Sequence, residues 1–234
     1  MVSNRNNGKD RSSKEDYFTL RVERVKNSEG RAVLAEREVR TLMTVLDLSD
    51  HENCLAGMHV ADLGCGDQYL KKSFEKRGAS YRGVDVDECD FEVDSLPLAN
   101  ESCDIVVSMS VIEHLRDPGN FLSEVKRILK DGSALWMDTP DIQACGGNFW
   151  NDPTHVHPYT RVSIKMLLEM SGYKDVLVTP NYRCKPKHYY TGESFSFFRA
   201  RHLMPFAGMT KAPVPEFMKG HCSGLFVLGR KGLD

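Results

Sequence analysis

The stretch VADLGCGDQYL, Val60–Leu70, carries an apolar run into an aspartate, turns on Gly64 and Gly66, and continues into a segment of helical pattern. A strand that turns on glycine straight into a helix brings bare backbone N–H groups to its carboxyl end, which is where ligands of open α/β sheets sit. LGCGDQ therefore reads as a ligand loop. A dinucleotide fold needs G-x-G-x-x-G, but the third position here is Tyr69, whose side chain obstructs the close helix–strand packing that glycine permits. A phosphate loop needs lysine and a hydroxyl, and Gln68, Tyr69 and Leu70 stand in their place.

Outward from this turn, HVADLG, YRGVDV, FEVDSLPL, CDIVVSMS and SALWMDTP are short runs rich in Val, Ile and Leu, as buried parallel strands are. Helical patterns alternate with them, one over about 68–77 and one in DPGNFLSEVKRILKDG, where Asp117 caps, Pro118 suits the first turn and Gly132 stops the element. TRVSIKMLLEMSGY is a further capped amphipathic helix, followed by strands KDVLVT and GLFVLGR, the last pair antiparallel. The expectation is an α/β fold with a mostly parallel seven-stranded sheet, an antiparallel last strand and helices on both faces.

Before the sheet, Val39, Leu42, Met43 and Leu46 recur at i, i+3, i+4, i+7 and put one apolar stripe on a helix that lies against the sheet or closes over its ligand. Residues 1–16 are polar and charged and read as a flexible tail, leaving 17–234 as a single domain with an N-terminal helical cap. The balance of 31 Lys and Arg against 33 Asp and Glu gives no global basic field for nucleic acid. Seven cysteines without a Cys-x-x-Cys pair read as reduced thiols of a cytoplasmic protein, and no apolar stretch is long enough to span a membrane.

Asp85 in GVDVDE ends the second strand, where a carboxylate can accept both hydroxyls of a ribose. Taken in order, VADLGCGDQYL, YRGVDVDE, VDSLPLANESCDIVVSMSVIEHL and EVKRILKDGSALWMDTPD resemble the class I S-adenosylmethionine-dependent methyltransferases, over 57–140 closely and loosely beyond. The resemblance implies a Rossmann-like fold, S-adenosyl-L-methionine as cofactor and methyl transfer. It places Asp62, Gly64, Cys65 and Gly66 along the methionine end of the cofactor and Asp85 on its ribose. Asp94 with Ser95 and Leu96 becomes the adenine-contacting turn, and Ser108 and Ser110 edge the sulfonium. Two departures stand out: Gln68 occupies a position where the family commonly has a third glycine, and the eight residues between Asp85 and Asp94 are too few for the usual intervening helix. The adenine side is then more open, with Glu92 an alternative to Asp94.

A sulfonium methyl is already electrophilic, so the protein has to align an acceptor, exclude water and, for a hydroxyl, supply a base. In FWNDPTHVHPYT, His155 is the candidate base and Asp152 its orienting partner. Metal binding by Asp152, His155 and His157 ranks lower, and no metal is expected. Glu113 and His114 follow the fourth strand and are open between positioning the acceptor, helping with a metal as in some quinone-pathway relatives, and capping a helix. NYRCKPKHYYTGESFSFFRARHL interleaves five Lys or Arg with six Tyr or Phe, a composition suited to an anionic, ring-bearing acceptor or to core packing with solvated charges. The DPTHVHPYT block looks like methyltransferases acting on saccharides and other small natural products, which points to a small-molecule hydroxyl. RNA or protein methylation, and an inactive cofactor-binding module, are the alternatives.

Overall fold

A computed structural model describes residues 28–181, Lys187, Tyr190 and 223–233. The tail 1–16 and the basic–aromatic segment 182–203, apart from Lys187 and Tyr190, lie outside the described residues. Six strands form one sheet: β1 (His59–Leu63), β2 (Ser80–Val84), β3 (Cys103–Met109), β4 (Leu129–Pro140), β5 (Tyr173–Pro180) and β6 (Gly224–Lys231), in the order β2-β1-β3-β4-β6-β5. β2, β1, β3 and β4 pair in parallel, while β6 runs antiparallel to both β4 and β5. The chain moves from β1 out to β2 and then back across to β3, so the order reverses at the carboxyl end of β1, where the glycine turn stands.

Successive side chains of a strand face opposite sides of a sheet, and here both sides are covered. Ile105 and Val107 pack with Val39, Leu42 and Met43 of α1 (Ser28–Val45), and Val106 between them packs on the other face with Phe121, Leu122 and Val125 of α3 (Gly119–Ile128). Between these elements lies the short α2 (Lys71–Glu75), and beyond β4 come α4 (Ile142–Cys145) and α5 (Arg161–Met170). The stripe expected on the first helix is the buried one, and full burial of each such side chain is worth about 1.5–3 kcal/mol. Asp117 Oδ1 accepts from the Gly119 amide at 2.9 Å, but Asp117 lies two residues ahead of the helix start and Pro118 takes the N-cap position expected of it, while Thr160 and Ser163 close a reciprocal capping box on α5.

FEVDSLPL is not a strand, which is why six strands rather than seven are seen among the described residues. Asp94 and the preceding Asp90 bind local backbone instead: the Asp90 amide donates to Asp94 Oδ2 and the Glu92 amide to Asp90 Oδ1. Such local bonds compete with a sheet ladder. Arg127 of α3 holds the resulting turns by donating to the carbonyls of Leu96 and Leu98, and β2 is left as the sheet edge.

A buried cation helps fasten the N-terminal cap to the sheet layer. Arg77, buried, donates to Glu36 of α1 at 2.7 Å, to Asp50 at 2.8 Å and to the Ser73 carbonyl at 2.8 Å. The Arg77 hydrogen bond draws the Glu36 carboxyl down to about 2 from 4.5. A carboxyl lowered in the folded state contributes stability above its unfolded value, and that contribution is lost as pH falls through the folded one. Replacing Arg77 by Met is expected to cost roughly 2 kcal/mol at pH 7, less than a fully buried pair because the carboxylates are partly solvated. In urea unfolding, the gap between wild type and R77M should narrow as pH falls from 5 toward 2, and a gap constant with pH would exclude this ion pair as its source.

Candidate active site

The glycine turn is built for close approach. Gly64 has φ +77°, and a Cβ there would stand 2.3 Å from Val111 Cγ2, so only glycine lets the chain after β3 close onto the turn. The Gly64 amide donates to the Val84 carbonyl at 2.8 Å, stitching the turn to the end of β2. Gly66, at φ +50°, has no atom within 4 Å of the place a Cβ would take, and its amide donates to Asp85 Oδ2 at 2.5 Å. Asp85 also accepts from the Val86 amide at 2.7 Å. Gln68, where a third glycine was expected, adopts φ +55°, so the turn keeps a glycine-like backbone at the cost of a strained side-chain residue.

Beneath the turn, Asp62 is buried and accepts from the Tyr81 hydroxyl. Burial is the largest influence on its carboxyl and pushes it up to about 7, with Asp85 and Asp67 adding repulsion against the Tyr81 bond. Cys65 is likewise pushed up, to about 12, so it stays a thiol. In the loop after β2, Asp94 is tied to Asp90, Ser95 is exposed, and Leu96 is buried with its amide on Glu124. Glu92 bonds the amides of Arg116 and Asp117, at 2.5 and 3.0 Å, and so fixes the approach to α3. Ser108 is buried within β3, and Ser110 sits just past its end at φ +55°.

A second cluster stands past the ends of β3 and β4. Glu113, fully buried in the 3-10 turn Ile112–His114, accepts from Thr139 Oγ1 at 2.9 Å, and its carbonyl takes the amides of Val156 and His157 at 2.9 and 3.0 Å. This clamps the DPTHVH loop onto the turn. His155 Nδ1 lies 2.7 Å from the Phe149 carbonyl, which only accepts, so Nδ1 carries a proton. His155 Nε2 stands 3.8 Å from Asp152 Oδ2 and 4.0 Å from Glu113 Oε1. Asp152 Oδ1 meanwhile accepts from the amide and hydroxyl of Thr154, at 3.0 and 2.6 Å.

The trio whose ligand atoms gather within 4.8 Å of one another is Glu113, His114 and His155, not Asp152, His155 and His157. The His157 ring instead stacks on Tyr159 at 4.7 Å. The convergence of Glu113 and His114 with His155 was missed from sequence; the adjacency of both segments to strand ends was its only signal. Of the basic–aromatic segment, Tyr190 is buried against Phe226 and Lys187 pairs with Asp47.

A family model described as a methyltransferase domain matches residues 34–178, more than half of the chain. The chain belongs to this family, and the turn, sheet and sequence together make it a class I S-adenosylmethionine-dependent methyltransferase. Over 129 residues it is 31% identical to the ubiquinone biosynthesis O-methyltransferase of Hahella chejuensis, covering 45% of this chain and 54% of that protein. A probable S-adenosylmethionine-dependent methyltransferase of Mycolicibacterium smegmatis is 30% identical over 136 residues, 51% of this chain and 53% of that one. The chain thus spans about half the length of these curated relatives. The crystal structure of a SAM-dependent methyltransferase from Archaeoglobus fulgidus shares the fold, with TM-score 0.56 and 20% identity over 86% of this chain and 94% of that one.

The residues present fit S-adenosyl-L-methionine. Open space beside Gly66 adjoins the Asp85 carboxylate, and the carboxylates of Asp62, Asp67 and Asp85 act on one another, a field suited to a ligand bearing a sulfonium and an ammonium. Among the described residues no helix is long and apolar enough to cross a membrane.

Asp62 gives a pH test of this electrostatic fit. Its folded value of about 7 lies above the ordinary 3.8, so its contribution to folding is complete below 3.8 and lost as pH rises through 7. A cation binds the ionised form, so affinity for S-adenosylmethionine should increase between pH 6 and 8, by at most about tenfold per unit, with a proton released on binding below pH 7. Calorimetric titration in buffers of different ionisation heat reads both quantities. Asp62→Asn should flatten the profile, and a flat wild-type profile would contradict the assignment.

Proposed function

We propose that the protein transfers the methyl group of S-adenosylmethionine to a hydroxyl of a small-molecule acceptor, a saccharide or related metabolite, with His155 as the general base and Asp152 a carboxylate facing its Nε2, the ring being oriented by the Phe149 carbonyl rather than by Asp152. The observation that carries this reading is the Nδ1 bond of His155 to the Phe149 carbonyl, which leaves Nε2 as the proton-accepting nitrogen between two carboxylates. Names of relatives lend support: the Hahella chejuensis protein is an O-methyltransferase.

The bound cofactor supplies a methyl already activated by positive sulfur. The chain's own part is alignment and proton removal. Asp62 and the Gly64–Gly66 turn, whose amides are bonded to Val84 and Asp85, line the methionine end, and Asp85 holds the ribose. Cys65 packs beneath the turn, Asp94, Ser95 and Leu96 border the adenine, and Ser108 and Ser110 edge the sulfonium. His155 Nε2 takes the acceptor's hydroxyl proton as the new C–O bond forms and the C–S bond breaks. The carboxylates of Asp152 and Glu113 then face an imidazolium, which they stabilise.

Transfer of labelled methyl into extract fractions separated as saccharides, lipids, RNA and proteins tests the acceptor class. Label is expected in the small saccharide and metabolite fraction, and label confined to RNA or protein would replace this reading. His155→Ala should lower kcat by roughly 10²–10⁴ while leaving cofactor affinity unchanged. Full turnover in that variant would remove His155 from the mechanism.

A further inference from the structure

We propose that Thr154 is a positioning residue for the reaction, acting on the base His155 through both Asp152 and His114. The inference rests on the reading of His155 as the base and adds the side chain that fixes the charge in front of it. Thr154 Oγ1 donates to Asp152 Oδ1 at 2.6 Å. A hydroxyl has one hydrogen, so toward His114 Nδ1, 2.9 Å away, the same oxygen accepts, and Nδ1 carries a proton. The Thr154 carbonyl, 3.1 Å from that nitrogen, agrees, because it too only accepts. Imidazole, hydroxyl and carboxylate thus form one chain in which each donor points the same way, and it joins segments 40 positions apart.

Both ends of this chain meet the base. Asp152 Oδ2 stands 3.8 Å from His155 Nε2, and the centres of the His114 and His155 rings lie 4.8 Å apart. Oδ1 takes both Thr154 donors, the amide at 3.0 Å and the hydroxyl, so Oδ2 is the oxygen presented to Nε2. The amide alone closes a turn of this kind. The hydroxyl does more, because it couples the carboxylate to His114. The side chains of His155 and Asp152 are only 9% and 13% exposed, so rotation of that carboxylate changes the field at Nε2 with little water to screen it.

Thr154→Val keeps the shape and removes the hydroxyl, whereas Thr154→Ser keeps the hydroxyl. With labelled S-adenosylmethionine saturating and the small saccharide and metabolite fraction of cell extract as the varied acceptor, T154V should lower apparent kcat roughly ten- to hundredfold, with KM and cofactor affinity little changed. T154S should recover most of that loss. Full turnover in T154V, or a loss that T154S does not recover, would overturn the proposal. The link is read apart from turnover by proton–nitrogen correlation NMR of histidine-labelled protein, with the His114 Nδ1–H resonance assigned from its loss in His114→Gln. Asp152→Asn should move that resonance in wild type, because the carboxylate polarises the hydroxyl, and should leave it in place in T154V. An equal shift in both backgrounds would break the chain at Thr154 and overturn the proposal. Thr154→Ala takes the place of T154V if the valine variant does not fold. Folded wild type that transfers no label would overturn the reading of the reaction and this role with it, while the resonance would still show whether the link is sound.

Discussion

The absence of a side chain at Gly64 is the constraint on which the rest of the site depends. At φ +77°, with Val111 Cγ2 occupying the volume a Cβ would need, the turn after β1 and the chain after β3 meet without a gap. The Gly66 amide then reaches Asp85 at the end of β2. Three strand ends are thereby held at fixed separations, with the glycine turn on one side and the buried Glu113–His155 cluster on the other. Any side chain at Gly64 separates them, because the nearest atom it would strike is a branched methyl buried against the 3-10 turn rather than a flexible tip.

The two parts differ in charge. Around the glycine turn carboxylates dominate, and burial pushes one of them, Asp62, up to about 7, so the proposed cationic ligand would gain both attraction and a proton-linked dependence on pH. On the other side, two imidazoles stand beside a fully buried carboxylate, and carbonyls fix which ring nitrogens carry protons. Under the proposed function, this separation suits a reaction in which positive charge leaves sulfur as a hydroxyl loses its proton.

Much of this arrangement was legible in the chain. Short runs rich in Val, Ile and Leu gave β1 to β6, the stripe at Val39, Leu42, Met43 and Leu46 gave the capping helix, and the glycine pair gave the turn that meets Asp85, because each is a local pattern with a local cause. FEVDSLPL failed as a strand because Asp94 and the preceding Asp90 bond backbone two to four residues away, a competition that a run of apolar residues does not register. The trio Glu113, His114 and His155 depends on backbone bonds spanning some forty positions, and Arg31 reaches Asp67 across 36, so neither follows from spacing. Gln68 departs from the glycine expected of the family, yet its backbone takes the glycine-like conformation, so the geometry of the turn is carried by its neighbours.

The most direct test of this account is the affinity of Asp85→Ala for S-adenosylmethionine, measured by calorimetry on protein whose thermal transition matches that of wild type. The account predicts a loss of at least about tenfold, since the one carboxylate joining the glycine turn to the second strand would be gone. An affinity equal to wild type in the folded variant would contradict it and place the cofactor elsewhere on the sheet.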